Sequence, residues 1–543
     1  MPAAPSPARF AVLALILLTA PLVSWRGVQV SSRLWWTLVL LLALGLFELA
    51  PGRARRVLGL TRSAIDLWIA AYLVWCLASV AWSRPPGPAL DAAPALLAGV
   101  LMFYLAADSL ERARWVASAA IAGGLIAAGW AIWQHHALGV QRPAGPFGSP
   151  LVAGAYFGCV LLLAGAWALE RGSRWAVVAM ALPGYALWLT ATRAALIAVL
   201  PAGALLIDRW AASHGRRARA WAAMLAGAAV LVALGAVYRA ELLERLWHGR
   251  PLTAERLLYL RDGFELWRRA PLWGHGLGSF SVQISQTLGG DYRSGPPALQ
   301  HAHNEYLELG CEVGIVGLAL FLGLALLALG HGLRGAREAE AGSWPRCLRL
   351  GAAAAVVFLL IDNLANVDLR AGVSPLFFWA GLGFLAARPA QRAALRLQGW
   401  RSAAAAACAA ALLVYAFSVF RQMRAQAEYL EGRRFEVGGD LPAAAHCYRR
   451  ALDWHPDHLI AASHLGLAEA RRGRFREALE AWMAVYRQAP RYAGVAHNLG
   501  VLLAEHGRPE EALPLLRLAA AADPDNQRTR EWLRRAEKAA RAR

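Results

Sequence analysis

The sequence predicts an all-α protein: a polytopic transmembrane helix bundle of about 12–13 spans with one large extracytoplasmic loop, followed by an α-solenoid. Three observations carry this. The 543 residues are 58% hydrophobic and only 17% charged, too apolar for an ordinary soluble chain. Apolar segments recur along the first three quarters of the chain. From about Ala425 the composition changes and a 34-residue period begins.

A membrane-crossing helix needs about 20 mostly apolar residues. Candidate spans are 9–25, 34–50, 65–82, 90–107, 115–134, 151–169, 175–190, 194–207, 221–238, 313–331, 350–367, 374–387 and 402–420. The run Phe10 to Val23 has the length of a signal peptide; with a dozen spans behind it, it reads as an uncleaved first span. The pair 175–190 and 194–207 reads as a helical hairpin that dips or kinks around Arg193.

The net charge of +20 is almost entirely arginine, since Lys538 is the only lysine. Much of it lies in alternate short loops: Arg53, Arg55, Arg56 and Arg62; Arg112 and Arg114; Arg171 and Arg174; Arg209 to Arg219; Arg334 to Arg349; Arg388 to Arg401. Alternation of this kind is the positive-inside pattern, which puts those loops in the cytoplasm. It also explains the high pI better than nucleic-acid binding does. The segment 239–312 then lies outside the cytoplasm, and thirteen spans starting inside put the C-terminal domain there too. The six cysteines (Cys76, Cys159, Cys311, Cys347, Cys408, Cys447) are scattered without a C-x-x-C spacing, so neither a zinc site nor a disulfide framework is expected.

The solenoid rests on register. Pro456, Pro490 and Pro524 are 34 apart, as are Gly432, Gly466 and Gly500; Ala444, Ala478 and Ala512; and the bulky Tyr448, Trp482 and Leu516. Small residues where helices cross and proline at the turn form the tetratricopeptide signature. The expected domains are 1–424 in the membrane and 425–543 as repeats (425–458, 459–492 and 493–526), with 527–543 as a capping helix.

The chemistry concentrates in 239–312, a loop too long to be a mere connection. It holds Arg256, an amphipathic stretch from Leu257 to Trp267, the run Pro271-Leu-Trp-Gly-His-Gly-Leu-Gly-Ser-Phe280, and the motif Gln300-His-Ala-His-Asn-Glu-Tyr306. Glycines 274, 276 and 278 predict a tight turn; a phosphate cradle would need a strand before and a helix after. His301 and His303, two apart, do not share a helical face. They are placed at the entry of the following helix, where backbone N–H groups are free and anions are favoured. Residue chemistry leaves three roles open for the pair: general base, structural hydrogen bonding, or a metal. Arg193, an arginine within an apolar stretch, points to function or to a snorkelling helix end. Gly145-Pro-Phe-Gly-Ser-Pro150 reads as a loop entering a span, and Asp362, Asn363, Asn366 and Asp368 as either a polar cavity or a membrane interface.

HAHNEYLELGCEVGIVG resembles the signature of the O-antigen ligase and polymerase superfamily. GPFGSPLVAGAY, TATRAAL, and Arg256 followed by PLWGHGLGSF resemble its other elements, in the expected order, although members more often carry Asn where Ser149 stands. The resemblance covers about 145–385. It implies transfer of a glycan from undecaprenyl diphosphate, at the outer face of a bacterial inner membrane, without a metal or other cofactor and with inversion. The acceptor would be lipid A core (ligase), another lipid-linked glycan (polymerase) or a protein hydroxyl (protein O-oligosaccharyltransferase). His303 would be the base, with His301 the runner-up. Arg193 and Arg256 would clamp the diphosphate, and Asn304 and Tyr306 would orient the site. The repeats would bind an acceptor, a chain-length regulator or another assembly protein. A non-catalytic scaffold whose repeats bind partners is the alternative of another class.

Overall fold

The computed structural model describes residues 7–23, 29–49, 58–63, 65–84, 86–226, 252–284, 301–370, 373–395, 401–488, 493–522 and 526–542. The described chain is overwhelmingly helical and forms two compact units. The first contains residues up to 74, 94–250 and 319–417; the second contains 75–93, 251–318 and 418–543.

Every expected span with described residues falls on a helix. Among the described residues six helices are long and apolar enough to cross a membrane: Gly87–Asp108, Leu110–Leu138, Pro150–Arg171, Arg193–Ser213, Glu305–Glu338 and Trp344–Asp362. Four more apolar helices are shorter. The expected span 175–190 is a 17-residue helix, Arg174–Thr190, and most of 221–238 lies outside the described residues. The chain is a multi-pass membrane protein by these helices. One departure from an all-helical reading occurs where the sequence predicts two arginine loops. Leu58–Ser63 and Ala387–Leu395 pair as an antiparallel ribbon with Leu58 opposite Leu395, so that backbone groups expected to face solvent bond one another.

In the first unit, helices approach through small residues, as expected where lipid cannot drive apolar association. A Cβ on Gly158 would sit 2.2 Å from the Phe358 ring, and one on Gly383 would sit 2.2 Å from the Phe103 carbonyl oxygen. Two ionic contacts, the first of them buried, show what part of the cytoplasm-assigned arginine set does. Arg346 Nε lies 3.0 Å from Glu170 Oε2, with both side chains nearly fully buried. Arg217 Nε lies 2.6 Å from Asp208 Oδ1. The four polar residues whose setting the sequence left open, Asp362, Asn363, Asn366 and Asp368, are all buried. Asn366 Nδ2 donates to Asp362 Oδ1 at 2.9 Å, and Asn363 Oδ1 accepts from the Leu369 N–H at 3.2 Å.

The second unit contains the repeat helices Leu441–Trp454, Leu459–Arg471, Phe475–Gln488, Ala493–Glu505 and Pro509–Ala522, closed by Gln527–Arg541. The first repeat begins inside a single helix, Arg401–Val437, which runs unbroken through position 425. The periodic residues meet as pairs. Cβ atoms on Gly432, Gly466 and Gly500 would lie 2.7, 2.4 and 2.6 Å from Tyr448, Trp482 and Leu516, so each glycine admits the bulky residue 16 positions on. Ala444, Ala478 and Ala512 are fully buried. A second periodic set, Gly439, Gly473 and Gly507, holds φ of +83°, +73° and +72° at the turns between helices.

Candidate active site

The site is built on a break in helix Glu305–Glu338. Gly314 has φ 68° and ψ −175°, which interrupts the helical ladder and strips the preceding carbonyls of their intrahelical donors. The glycine turn supplies replacements. His275 N–H donates to the Cys311 carbonyl and Gly276 N–H to the Glu312 carbonyl, both at 2.8 Å. Trp75 Nε1 donates to the Val313 carbonyl at 2.8 Å, and Ile315 N–H returns a bond to the Pro271 carbonyl at 2.9 Å. Glycine is required on both sides of this seam. A Cβ on Gly274 would lie 2.2 Å from Glu312 O, and one on Gly314 would lie 2.1 Å from Leu272 O. The tight turn expected from glycines 274, 276 and 278 is present, with φ of +71°, +110° and +70°. The amides of His275 and Gly276 are committed to the helix, that of Gly274 to the Ala270 carbonyl, and that of Leu277 to Ser79, whose Oγ accepts from it at 2.9 Å.

The amphipathic helix Leu252–Arg269 lies along the same helix start. Tyr259 and Leu266 are buried in a cluster with Phe280, Ile284, Ala302 and Cys311. Gly263 lets Leu307 approach, and Cys311 Sγ donates to the Gly263 carbonyl at 3.1 Å. His301 and His303 stand immediately before Glu305, at the helix entry where the sequence puts them. Asn304 is the cap: its Oδ1 accepts from the Leu307 N–H at 2.9 Å. The buried Glu308 carboxylate holds the preceding loop, with Oε2 accepting from Ala302 N–H at 2.9 Å and Oε1 lying 3.0 Å from His301 Nδ1.

His303 stacks on Tyr259, with ring centroids 6.0 Å apart and planes 25° apart. Its φ is 53°, a conformation L-residues rarely adopt. Burial, then the charge of Arg256, then His301, lower its pKa below the usual histidine value, and Glu308 opposes them. His303 is therefore biased toward the neutral form, which accepts a proton. Arg256, His301, His303, Asn304 and Tyr306 belong to the second unit.

Arg193 belongs to the first unit, as the first residue of helix Arg193–Ser213. The preceding helix ends at Thr190, so the sequence-predicted break around Arg193 is present. Ala191 between them has φ 49°, and Ala191 and His303 are the two non-glycine residues with positive φ among the described residues. The turn is tied down on three sides. Thr192 Oγ1 donates to the Pro150 carbonyl at 3.0 Å, Arg142 Nε donates to the Thr190 carbonyl at 2.9 Å, and Thr190 Oγ1 donates to the Leu187 carbonyl at 2.7 Å. The Gly145-Pro-Phe147 loop is clamped by Gln134, whose side-chain amide both donates to and accepts from Gly145.

Sequence reasoning missed Glu308, Tyr259 and Arg142. Glu308 carried a signal, an acid in the first turn of a helix directly after the histidines. Arg142 carried another, an arginine in an otherwise arginine-poor loop. Tyr259 carried none beyond the apolar stripe of its helix. Among the described residues there is no cluster of three histidine, cysteine or acidic side chains that could hold a metal ion.

Fold and site thus define a multi-pass helical membrane protein with a structured loop–helix junction and a repeat solenoid. Residues 175–322 match the O-antigen ligase family, and 429–493 and 465–527 match the tetratricopeptide repeat family. The first match contains all six residues singled out from the sequence: Arg193, Arg256, His301, His303, Asn304 and Tyr306. It supports a glycosyltransferase-type enzyme with a ligase-like role in surface polysaccharide assembly. No curated protein matches the chain. Among solved structures, the first tetratricopeptide domain of Spaghetti (RPAP3), bound to an HSP90 peptide, aligns at 18% identity over 22% of this chain and 98% of its own, with a TM-score of 0.21. The TPR2AB domain of yeast Sti1, in a complex with an HSP90 peptide, aligns at 14% identity over 53% of this chain and 99% of its own, also with a TM-score of 0.21. Similarity at that level carries nothing about a partner for this chain.

Proposed function

We propose that the protein transfers a glycan from undecaprenyl diphosphate to an acceptor hydroxyl at the outer face of the inner membrane, in ligase-like surface polysaccharide assembly. The observation that carries this reading is a neutral-biased histidine, His303, held in a strained conformation at a helix entry under the influence of Arg256, inside the segment that matches the ligase family. In the reaction His303 takes the acceptor hydroxyl's proton as the oxygen attacks the anomeric carbon. The bond from that carbon to the diphosphate breaks, and the electron pair leaves with the diphosphate. Attack opposite the leaving group inverts the anomeric centre. Diphosphate is already a good leaving group, so the protein's tasks are a base and a cation for the developing charge. Arg256 and Arg193 are the candidates for the second task, because guanidinium forks suit phosphate oxygens. Asn304 acts by capping the helix that carries the site, and Tyr306, one residue into that helix, borders it. The histidines and the repeats face the periplasm, and the repeats engage an assembly partner or the acceptor.

His301 is the second reading for the base. Its Nδ1 lies against the buried Glu308 carboxylate, an arrangement that fixes a tautomer and leaves Nε2 as the acceptor. Separate His303→Ala and His301→Ala variants decide between them in a transfer assay with purified protein in detergent. His303→Ala is expected to lower turnover by about 10²–10⁴-fold, the usual range for a lost general base, at unchanged expression and membrane insertion. Full activity in His303→Ala with loss in His301→Ala would give the role to His301. Deletion in the native host identifies the acceptor. Lipid A core without polymer means ligase, single-unit attachment means polymerase, and unglycosylated protein means oligosaccharyltransferase.

A further inference from the structure

The second unit contains a cavity of about 430 Å³ that the transfer chemistry does not use. Its walls come from 88–92, from 278–282 at the end of the glycine turn, and from 455–460, the turn between the first two repeats, with Gln426 and Gln488 completing it. The volume falls within the roughly 300–1,000 Å³ of small-molecule sites.

Its polar side chains are fixed. Asp91 accepts from Gln422 Nε2 and meets His455 Nε2, both at 2.8 Å. His458 Nδ1 accepts from Ala461 N–H at 3.2 Å, so its Nε2 is the protonated nitrogen and donates to Gln426 Oε1 at 3.1 Å. Burial and the neighbouring His455 push the His458 pKa down to about 4, which keeps it neutral. Asp91 raises the pKa of His455, so that its charge is answered within the pair. His455 Nδ1 is buried without a hydrogen-bond partner. Gly87 allows Asp457 to pack against the helix start, where a Cβ would lie 2.9 Å from Oδ2.

The lining chemistry selects a ligand class. Among the described residues none of the thirteen that line the cavity is lysine or arginine, and two are aspartates, a lining that disfavours phosphate and carboxylate. Amides, a hydroxyl and carboxylates offer both donors and acceptors. Pro88, Val282, Leu459 and Ile460 add apolar faces. A ligand that is uncharged, dense in hydroxyls and apolar on its C–H faces fits this mixture.

We propose that the cavity is a binding site for a short stretch of neutral glycan, held between the glycine turn and the first two repeats. The inference rests on the glycosyl-transfer reading above and gives the repeats a part in holding the glycan.

The test uses the full-length protein in detergent and, as probe, the oligosaccharide released by mild acid from the host's own lipid-linked glycan. Calorimetry on wild type, Gln426→Ala and the cavity-filling Ser281→Trp is expected to show at least a tenfold loss of affinity in both variants. His303→Ala should bind the probe like wild type while failing to transfer it. In turnover assays the two cavity variants should raise KM with kcat unchanged. A raised KM for the lipid-linked donor assigns the donor's glycan, and one for the acceptor assigns the acceptor's. No binding of the probe by wild type, or binding by Gln426→Ala within twofold of wild type, overturns the proposal even if transfer proceeds. Loss of the transfer reading shows separately, as a wild-type protein that moves no glycan at all.

Discussion

His303 combines two properties that rarely coincide, a depressed pKa and a left-handed backbone. Left-handed conformations cost a non-glycine residue of order 1–3 kcal/mol and persist only where the surroundings impose them. Here the imposing groups are Asn304, which caps the helix one residue on, and Glu308, which holds Ala302 one residue before. The lowered pKa has consequences of definite sign. Below about pH 6.5 an unfolded histidine takes up a proton that the folded His303 resists, so this residue makes the fold less stable as pH falls through that region. Activity follows the folded value instead: the neutral base survives below pH 6.5, and turnover falls only as His303 itself protonates. Arg256→Gln removes one of the groups that lower this pKa. The acid limb of kcat should then move to higher pH, and KM for the donor should rise if Arg256 also binds diphosphate. An unmoved acid limb, measured from pH 5 to 8, would mean that His303 is not the titrating base. For Arg193, Lys keeps the charge and loses the fork. Arg193→Lys is therefore expected to impair transfer, and a wild-type rate would reduce Arg193 to a helix-end anchor.

At the scale of elements, the seam between the glycine turn and the broken helix determines whether the site exists at all. Three carbonyls freed around Gly314 find donors on His275, Gly276 and Trp75, and leaving them unmet in a buried place would cost about 1–3 kcal/mol each. Gly274→Ala would drive a methyl to 2.2 Å from the Glu312 oxygen at φ +71°, a clash with backbone that no side-chain rotation relieves. It should lower the thermal midpoint and transfer together. Gly466→Ala presses instead on the Trp482 ring and should destabilise by about 1–3 kcal/mol with the transfer site intact. Transfer per folded molecule separates the two, and equal loss in both would contradict the division of roles. This contrast also shows what the sequence made legible. Spacing by 34 exposed the repeat pairs because both partners recur in register, and three alternating glycines exposed the turn because few other residues tolerate positive φ. The acceptor of Trp75 lies 238 residues away, and Glu308 grips a loop rather than its own helix face. No local period encodes such contacts, so the seam and the His301–Glu308 pair had to come from the fold.

At the scale of the whole molecule, the open quantity is the parity of the spans. The positive-inside reading of the arginines predicts the histidines outside the cytoplasm whatever the later spans do, because nine of the expected spans precede them. The side of the repeats depends on the spans that follow: 313–331, 350–367, 374–387 and 402–420. Three of these coincide with the described helices Glu305–Glu338, Trp344–Asp362 and Ser374–Ala386. The fourth lies in Arg401–Val437, which then continues into the first repeat without a break. A continuous helix leaves little freedom: if 402–420 crosses the membrane, the repeats emerge on the side to which it delivers them. That is the periplasm, for a chain starting in the cytoplasm with thirteen spans. A phosphatase reporter, active only outside the cytoplasm, is therefore expected to work when fused after Arg543 and to fail when fused after Arg396, in the loop before the last span. Activity at Arg396 and none at Arg543 would reverse this last stretch while leaving the histidines on the outer side. The repeats would then stand on the side opposite the glycine turn, so the cavity that the turn and the first two repeats wall together could not form, and the glycan proposal would fall with it.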